Sequence, residues 1–113
     1  MEQNDKLVLI YSTFPSAETA AAAGESLVTA RLAACVNIMP GMLSIYEWEG
    51  QLHRDPEVVM LVKTRADVAP SAVAAISETH PYDNPAVIVL PIDGGATPYL
   101  DWVRSQTSAS QRS

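Results

Sequence analysis

The sequence predicts an α+β fold in which two helices cover one face of an antiparallel sheet, in the order βαββαβ with an extra helix at the C-terminus. Three observations carry this reading. Short apolar runs rich in Val, Ile and Tyr alternate with two alanine-rich stretches whose apolar residues recur at helical spacing. A long run from Ala33 to Glu49 is followed at once by another from Gln51 to Arg65, with Glu49-Gly50 supplying the turn. A chain of 113 residues that is 48% hydrophobic suffices for one compact domain and hardly for two. The domain is therefore read as residues 1–113, with an ordered core over 6–107 and a small, polar, frayed tail over 108–113.

Lys6 to Thr13 is almost wholly apolar and reads as a buried strand, broken by Pro15 and Ser16. From Ser16 to Leu32, Ala20, Ala23, Leu27 and Ala30 fall at helical spacing. Glu18 near the start and Arg31 near the end complement the helix dipole. Between Ala33 and Glu49 the alternation slips. Ala34, Val36 and Ile38 occupy even positions, whereas Leu43 and Ile45 occupy odd ones, and the change falls across Pro40-Gly41. One extra residue there, a β-bulge, keeps both sets on one side of a single bent strand. Gln51 to Arg65 follows as the second arm of a hairpin, with Pro56 suited to an edge or bulge.

Asp67 is the expected N-cap of a second helix, with Pro70 in its first turn and Val68, Ala72, Val73 and Ile76 on its inner face. His80 before Pro81 ends it, because the residue preceding proline is driven out of the helical region. Val87 to Ile92 is the fourth strand, and Thr97 to Thr107 a short helix with Tyr99, Leu100 and Val103 on one side. This is the element order of a ferredoxin-like sandwich.

Charge and cysteine content narrow the function. A net charge of −6 supplies no basic patch for nucleic acid or an anionic membrane, while leaving metal cations as partners. Leu7 to Tyr11 is too short for a signal-peptide core and follows the acidic Glu2 and Asp5, so the cytoplasm is the expected location. Cys35 is the only cysteine, which excludes an intrachain disulfide and a Cys-x-x-Cys site. There is no Gly-rich phosphate loop, nucleophile elbow or His-Glu-x-x-His, so the chain is not expected to be an enzyme.

Val58 to Val62 and Val87 to Leu90 are apolar at both parities. Two helices cover one face of these strands, and a solvated second face would show polar residues at every other position. Cover from another subunit is expected; the alternative is that the long hairpin and the last helix fold back over the sheet.

His80, followed by Pro81, Tyr82 and Asp83 where a helix gives way to a loop, is the main histidine candidate. Its imidazole suits Cu(II) or Zn(II) with Asp83 orienting it or joining the shell, or else it caps the helix. Cys35 offers a soft ligand for Cu(I), or else it is a small packing residue.

The block from Arg31 to Gly50 reads Arg-Leu-Ala-Ala-Cys-Val-Asn-Ile, then Pro40-Gly41, then Ser44-Ile45-Tyr46-Glu47-Trp48-Glu49-Gly50. Lys63-Thr64, His80-Pro81-Tyr82, Leu90-Pro91-Ile92 and Tyr99-Leu100-Asp101-Trp102 follow in step. Over Leu7 to Val103 this resembles the CutA family of divalent-cation tolerance proteins. The resemblance implies a ferredoxin-like subunit, assembly as a homotrimer around a central axis, and a role in the response to metal ions such as copper. It also implies that Tyr46, Trp48, Lys63, His80 and Tyr82 line a cleft between subunits. These residue types suit a small anionic ligand that pairs with Lys63 and stacks on Trp48, or else the rings pack at an interface and Lys63 pairs with Glu47, Glu49 or Glu57. Metal sites proposed for the family combine a cysteine and a histidine pair; the matching positions here hold Ser12, Thr79 and His80. The other readings are a small-ligand sensor like the similarly folded PII trimers, and a structural scaffold without metal.

Overall fold

The computed structural model describes residues 6–107, so the expected polar tail over 108–113 lies outside the described residues. Its elements are β1 (Leu7–Phe14), α1 (Ala17–Thr29), β2 (Cys35–Trp48), β3 (Gln51–Arg65), α2 (Ala69–Thr79), β4 (Val87–Ile92) and α3 (Thr97–Gln106). The four strands form one antiparallel sheet in the order β2-β3-β1-β4. The β-bulge is present. Met39 pairs with Val59 and Met42 with Glu57, so β2 spends one residue more than β3 over that step, and Gly41 takes φ 92° there. After the bulge Leu43 stands opposite Pro56, on the face that Val36 and Ile38 occupy before it, opposite Val62 and Met60.

One face of the sheet lies under α1 and α2. Val8, Ile10 and Phe14 of β1 and Val58, Met60 and Val62 of β3 pack with Ala20 and Leu27 of α1 and Ala72 and Ile76 of α2. Gly24 lets α1 approach β2 closely, since a Cβ there would stand 2.9 Å from a methyl of Val36. The opposite parity meets α3 at one end of the sheet, where Leu7 and Ala34 pack on Val103 with Ile92 and Leu100 alongside. The last helix thus folds back over part of the second face, and the rest stays open. Met39, Ile88 and Leu90 keep 49%, 51% and 43% of their surface exposed.

Two helix ends differ from expectation. α1 stops at Thr29 rather than Leu32, because Arg31 adopts φ 62° and the Leu32 amide bonds back to the Leu27 carbonyl at 2.9 Å, a left-handed C-terminal cap. α2 is capped by the backbone of Val68, not by Asp67, whose carboxylate instead takes a two-pronged bond from Arg65 at 2.9 and 2.5 Å. A bidentate guanidinium outcompetes the single amide that an N-cap would offer. His80 ends α2 with extended backbone, φ −69° and ψ 140°, as Pro81 requires.

Candidate functional site

β1 pairs with β3 only from Leu7↔Arg65 to Phe14↔Val58. Beyond that point residues 42–48 and 51–57 continue as a two-stranded arm with no third strand. The arm reaches past the helical layer, which is why Leu43, Ile45 and Leu52 remain 49%, 57% and 73% exposed despite their alternation.

The segment after α2 folds against the root of this arm. Ser12, fully buried on β1, donates its hydroxyl to the Ala86 carbonyl at 2.7 Å and ties the segment to the sheet. Tyr82 donates its phenol to Glu57 at 2.7 Å, and the other Glu57 oxygen accepts from Ser44 at 2.5 Å. Tyr46 donates to Asp55 at 2.5 Å and stacks on His53, ring centroids 5.1 Å apart. Burial first, and then the bond to Glu57, push the Tyr82 phenol far above its ordinary value. The bond to Asp55 raises Tyr46 as well. Both phenols therefore remain protonated donors at any physiological pH. Between arm and segment lies a cleft of about 450 Å³ lined by Tyr46, Trp48, Glu57, Tyr82, Asp83 and Asn84.

Of the five residues expected in a cleft between subunits, Tyr46, Trp48 and Tyr82 line this cleft within one chain. His80 sits behind Tyr82, ring centroids 4.9 Å apart, and stacks on Phe14 at 4.2 Å. Its Nδ1 accepts the Tyr82 amide at 3.1 Å, which leaves the proton on Nε2 to be donated to the Thr13 carbonyl at 2.8 Å. Both ring nitrogens are engaged, so in this arrangement His80 joins β1 to the segment and offers no free lone pair. Lys63 lies elsewhere, opposite Cys35 and Leu9, with its ammonium 3.3 Å from the Tyr99 hydroxyl and 5.5 Å from that ring's centroid.

The three candidate metal ligands are not brought together. Asp83 lines the cleft, His80 lies beneath it at the Thr13 end of β1, and Cys35 begins β2 opposite Lys63, four residues along β3 from the partner of Thr13. Among the described residues no three His, Cys, Asp or Glu side chains converge to hold an ion. Thr79, at a position that carries histidine in the family's proposed sites, donates its hydroxyl to the Ala75 carbonyl.

Glu57 as a cleft residue, and Asp55 as the partner of Tyr46 behind it, escaped the sequence reading. The signal was available in the bulge: once the extra residue is placed, Glu57, Asp55 and His53 of β3 fall opposite Met42, Ser44 and Tyr46, on the face that carries Trp48.

The family model described as CutA1 divalent ion tolerance protein matches residues 8–106. The chain belongs to this family. It is similar to the divalent-cation tolerance protein CutA of Thermus thermophilus, 45% identical over 103 residues, which are 91% of this chain and 98% of that one. It is 41% identical to the chloroplastic protein CutA of Arabidopsis thaliana over 110 residues, 95% of this chain but 60% of that one. The chain thus spans less than two thirds of the plant relative. In structure it is similar to CutA1 from Oryza sativa, with a TM-score of 0.90 at 36% identity over 96% of this chain and 99% of that one. The family shares the four-stranded antiparallel sheet and its three helices. No helix among the described residues is long and apolar enough to cross a membrane.

Proposed function

We propose that this chain works as a homotrimeric divalent-cation tolerance protein that answers to copper or another divalent cation, with the second face of its sheet as the subunit contact. The observation that carries the assembly is the open part of that face. Met39, Ile88 and Leu90 are 43% to 51% exposed on the two edge strands, on the face opposite α1 and α2. Apolar surface of this extent on one face of a sheet is stabilised by association. Three is the number of subunits that the family resemblance implies.

Light scattering coupled to size exclusion tests the assembly. The expected mass is three times the 12.1 kDa of one chain; a mass of one chain at micromolar concentration overturns it. Titration calorimetry with Cu(II) and Zn(II) tests the cation. Asp83 is the candidate ligand already open to the cleft, and His80 would join it through Nδ1 by giving up the bond it accepts from the Tyr82 amide. Cys35 lies too far along the sheet to join them within one chain, so its participation requires a neighbouring subunit. His80→Ala and Asp83→Asn should each lower Cu(II) affinity about tenfold or more. Equal binding by wild type and His80→Ala removes His80 from the role.

A second reading, a small-ligand sensor, is favoured by one feature, the 53% exposure of Trp48 at the cleft.

A further inference from the structure

We propose that the groove between α1 and α2 docks a basic amphipathic helix of a partner protein. The groove measures about 470 Å³ and belongs to the helical layer, on the side of the sheet away from the face proposed as the subunit contact. It is therefore compatible with that assembly and does not depend on it. Phe14, Leu27 and Ile76, all buried, form its floor. Its walls are short side chains, among them Ala23 of α1 and Ala75 of α2. Alanine favours the helix without supplying the bulk that would fill the space over the core. On α1 the lining runs through Thr19, Ala22, Ser26 and Ala30, a stripe at i, i+3, i+7 and i+11 that spans roughly 16 Å at 1.5 Å per residue. A partner helix presents its apolar anchors at the same spacing, and about three of its turns match that length.

The charge of the layer selects the occupant. α1 carries Glu18 and Glu25, α2 carries Glu78, and neither helix contains a lysine, arginine or histidine. Glu78 lines the groove itself, and among the described residues no ion pair or hydrogen bond engages its carboxylate. The cations that flank the helices in sequence are directed elsewhere: Arg31 donates to the Gln106 carbonyl at 3.2 Å, and Arg65 is paired with Asp67. The threonine hydroxyls of the lining bond back within their own helical segments, Thr19 to the Ser16 carbonyl and Thr79 to the Ala75 carbonyl, each at 3.0 Å. What the groove offers a partner is thus apolar contact along its length and an uncompensated negative charge at its rim. Lysines or arginines beside the apolar anchors of a docked helix would lay their stems on the walls and bring their heads to that charge. A second copy of this layer would set glutamate against glutamate, and nucleic acid or an anionic membrane would meet the same repulsion. A small free amine would use Glu78 and leave most of the three turns uncovered.

The test uses the full chain and a fluorescein-labelled synthetic helical peptide with leucines at i, i+4 and i+7 and lysines on its other faces, followed by fluorescence anisotropy. Two control peptides carry glutamates in place of the lysines or alanines in place of the leucines. Saturable binding of the basic peptide is expected, at least about tenfold weaker for either control. It should weaken about threefold or more as salt is raised to about 1 M, where charges are screened beyond about 3 Å. Ala22→Trp, at an exposed position of α1 that lines the groove, should weaken binding about tenfold or more with unchanged circular dichroism. Glu78→Gln should weaken it about threefold, the effect of one exposed charge pair. Val28→Ala, at an exposed position of α1 outside the groove, should leave it unchanged. No saturable binding of the basic peptide overturns the proposal. Equal binding of the basic and acidic peptides removes the charge complementarity and overturns it too. Equal binding by wild type and Ala22→Trp, or a loss in Val28→Ala as large as in Ala22→Trp, places the peptide elsewhere and overturns it as well. The mass measured by light scattering is a separate readout, so failure of the trimer and failure of this groove are distinguishable.

Discussion

The two faces of the sheet are built from the same residue types and have different fates. Under the helices, Ile10, Met60 and Val62 are fully buried within a single chain. On the opposite face, strands equally rich in Val, Ile and Leu bury Leu7 and Ala34 under α3 and Val59 within β3, and they leave Met39, Ile88 and Leu90 open. Apolar content alone therefore does not locate a core. What distinguishes the faces is whether the chain has a layer left to cover them, and two helices plus a ten-residue third one cover one face and one end of the other. The closed face gives the chain its fold, and the open face is the one proposed as the subunit contact.

The sharpest test of this contrast is a charge on each face. Met60→Asp places an unpaired carboxylate among packed side chains, at a cost of several kcal/mol, comparable with the whole stability of a domain. Loss of the helical signal in circular dichroism is expected, and a folded Met60→Asp protein would mean that the helix-covered face is not the core. Ile88→Asp on the open face should act differently. The mass by light scattering should fall to that of one chain while the secondary structure persists. Unfolding together with dissociation would show that the faces are not separable.

Smaller effects probe the seams between layers. Gly24→Ala gains about 1 kcal/mol of helix propensity, but its Cβ would stand 2.9 Å from a stiff Val36 methyl, and such overpacking costs about 1–3 kcal/mol. A net loss of about 1 kcal/mol is expected, seen as a melting temperature lower by about 4 °C. A higher melting temperature would show that α1 is free to move off β2. Tyr82→Phe removes the phenol that ties the segment after α2 to Glu57 and should cost about 1 kcal/mol in urea denaturation. No loss would mean that the cleft wall is not held by that bond.

The smallest effect concerns pH. The Arg65 guanidinium holds the Asp67 carboxyl below its usual 3.8, so the folded state binds this proton less readily than the unfolded one. The pair stabilises the fold above pH 3.8, and that contribution fades as pH falls through the lowered value. Because the Asp67 side chain is 41% exposed, screening limits the effect to below about 0.5 kcal/mol. Asp67→Asn should be slightly less stable than wild type at pH 7, the gap closing as pH falls below 3.8 through the lowered value. A gap that widens in acid contradicts the assignment.

The sequence by itself determined the order of the seven elements, the bulge at Pro40-Gly41, the end of α2 before Pro81 and the presence of two apolar faces. These are properties of local periodicity, which backbone geometry fixes at 3.6 or 2 residues whatever the rest of the chain does. The tertiary structure decided which parity lies under the helices, since a strand apolar at both parities carries no label for either face. It decided that Asp67 turns to Arg65, that Lys63 meets Tyr99 rather than the cleft, and that Glu57 meets Tyr82. It also decided that His80 reaches Thr13, 67 residues earlier in the chain, and Ser12 the carbonyl of Ala86, 74 residues later. Such partners follow from register and layer placement, because a side chain pairs with whatever the fold brings within hydrogen-bond reach, and sequence spacing does not encode that distance.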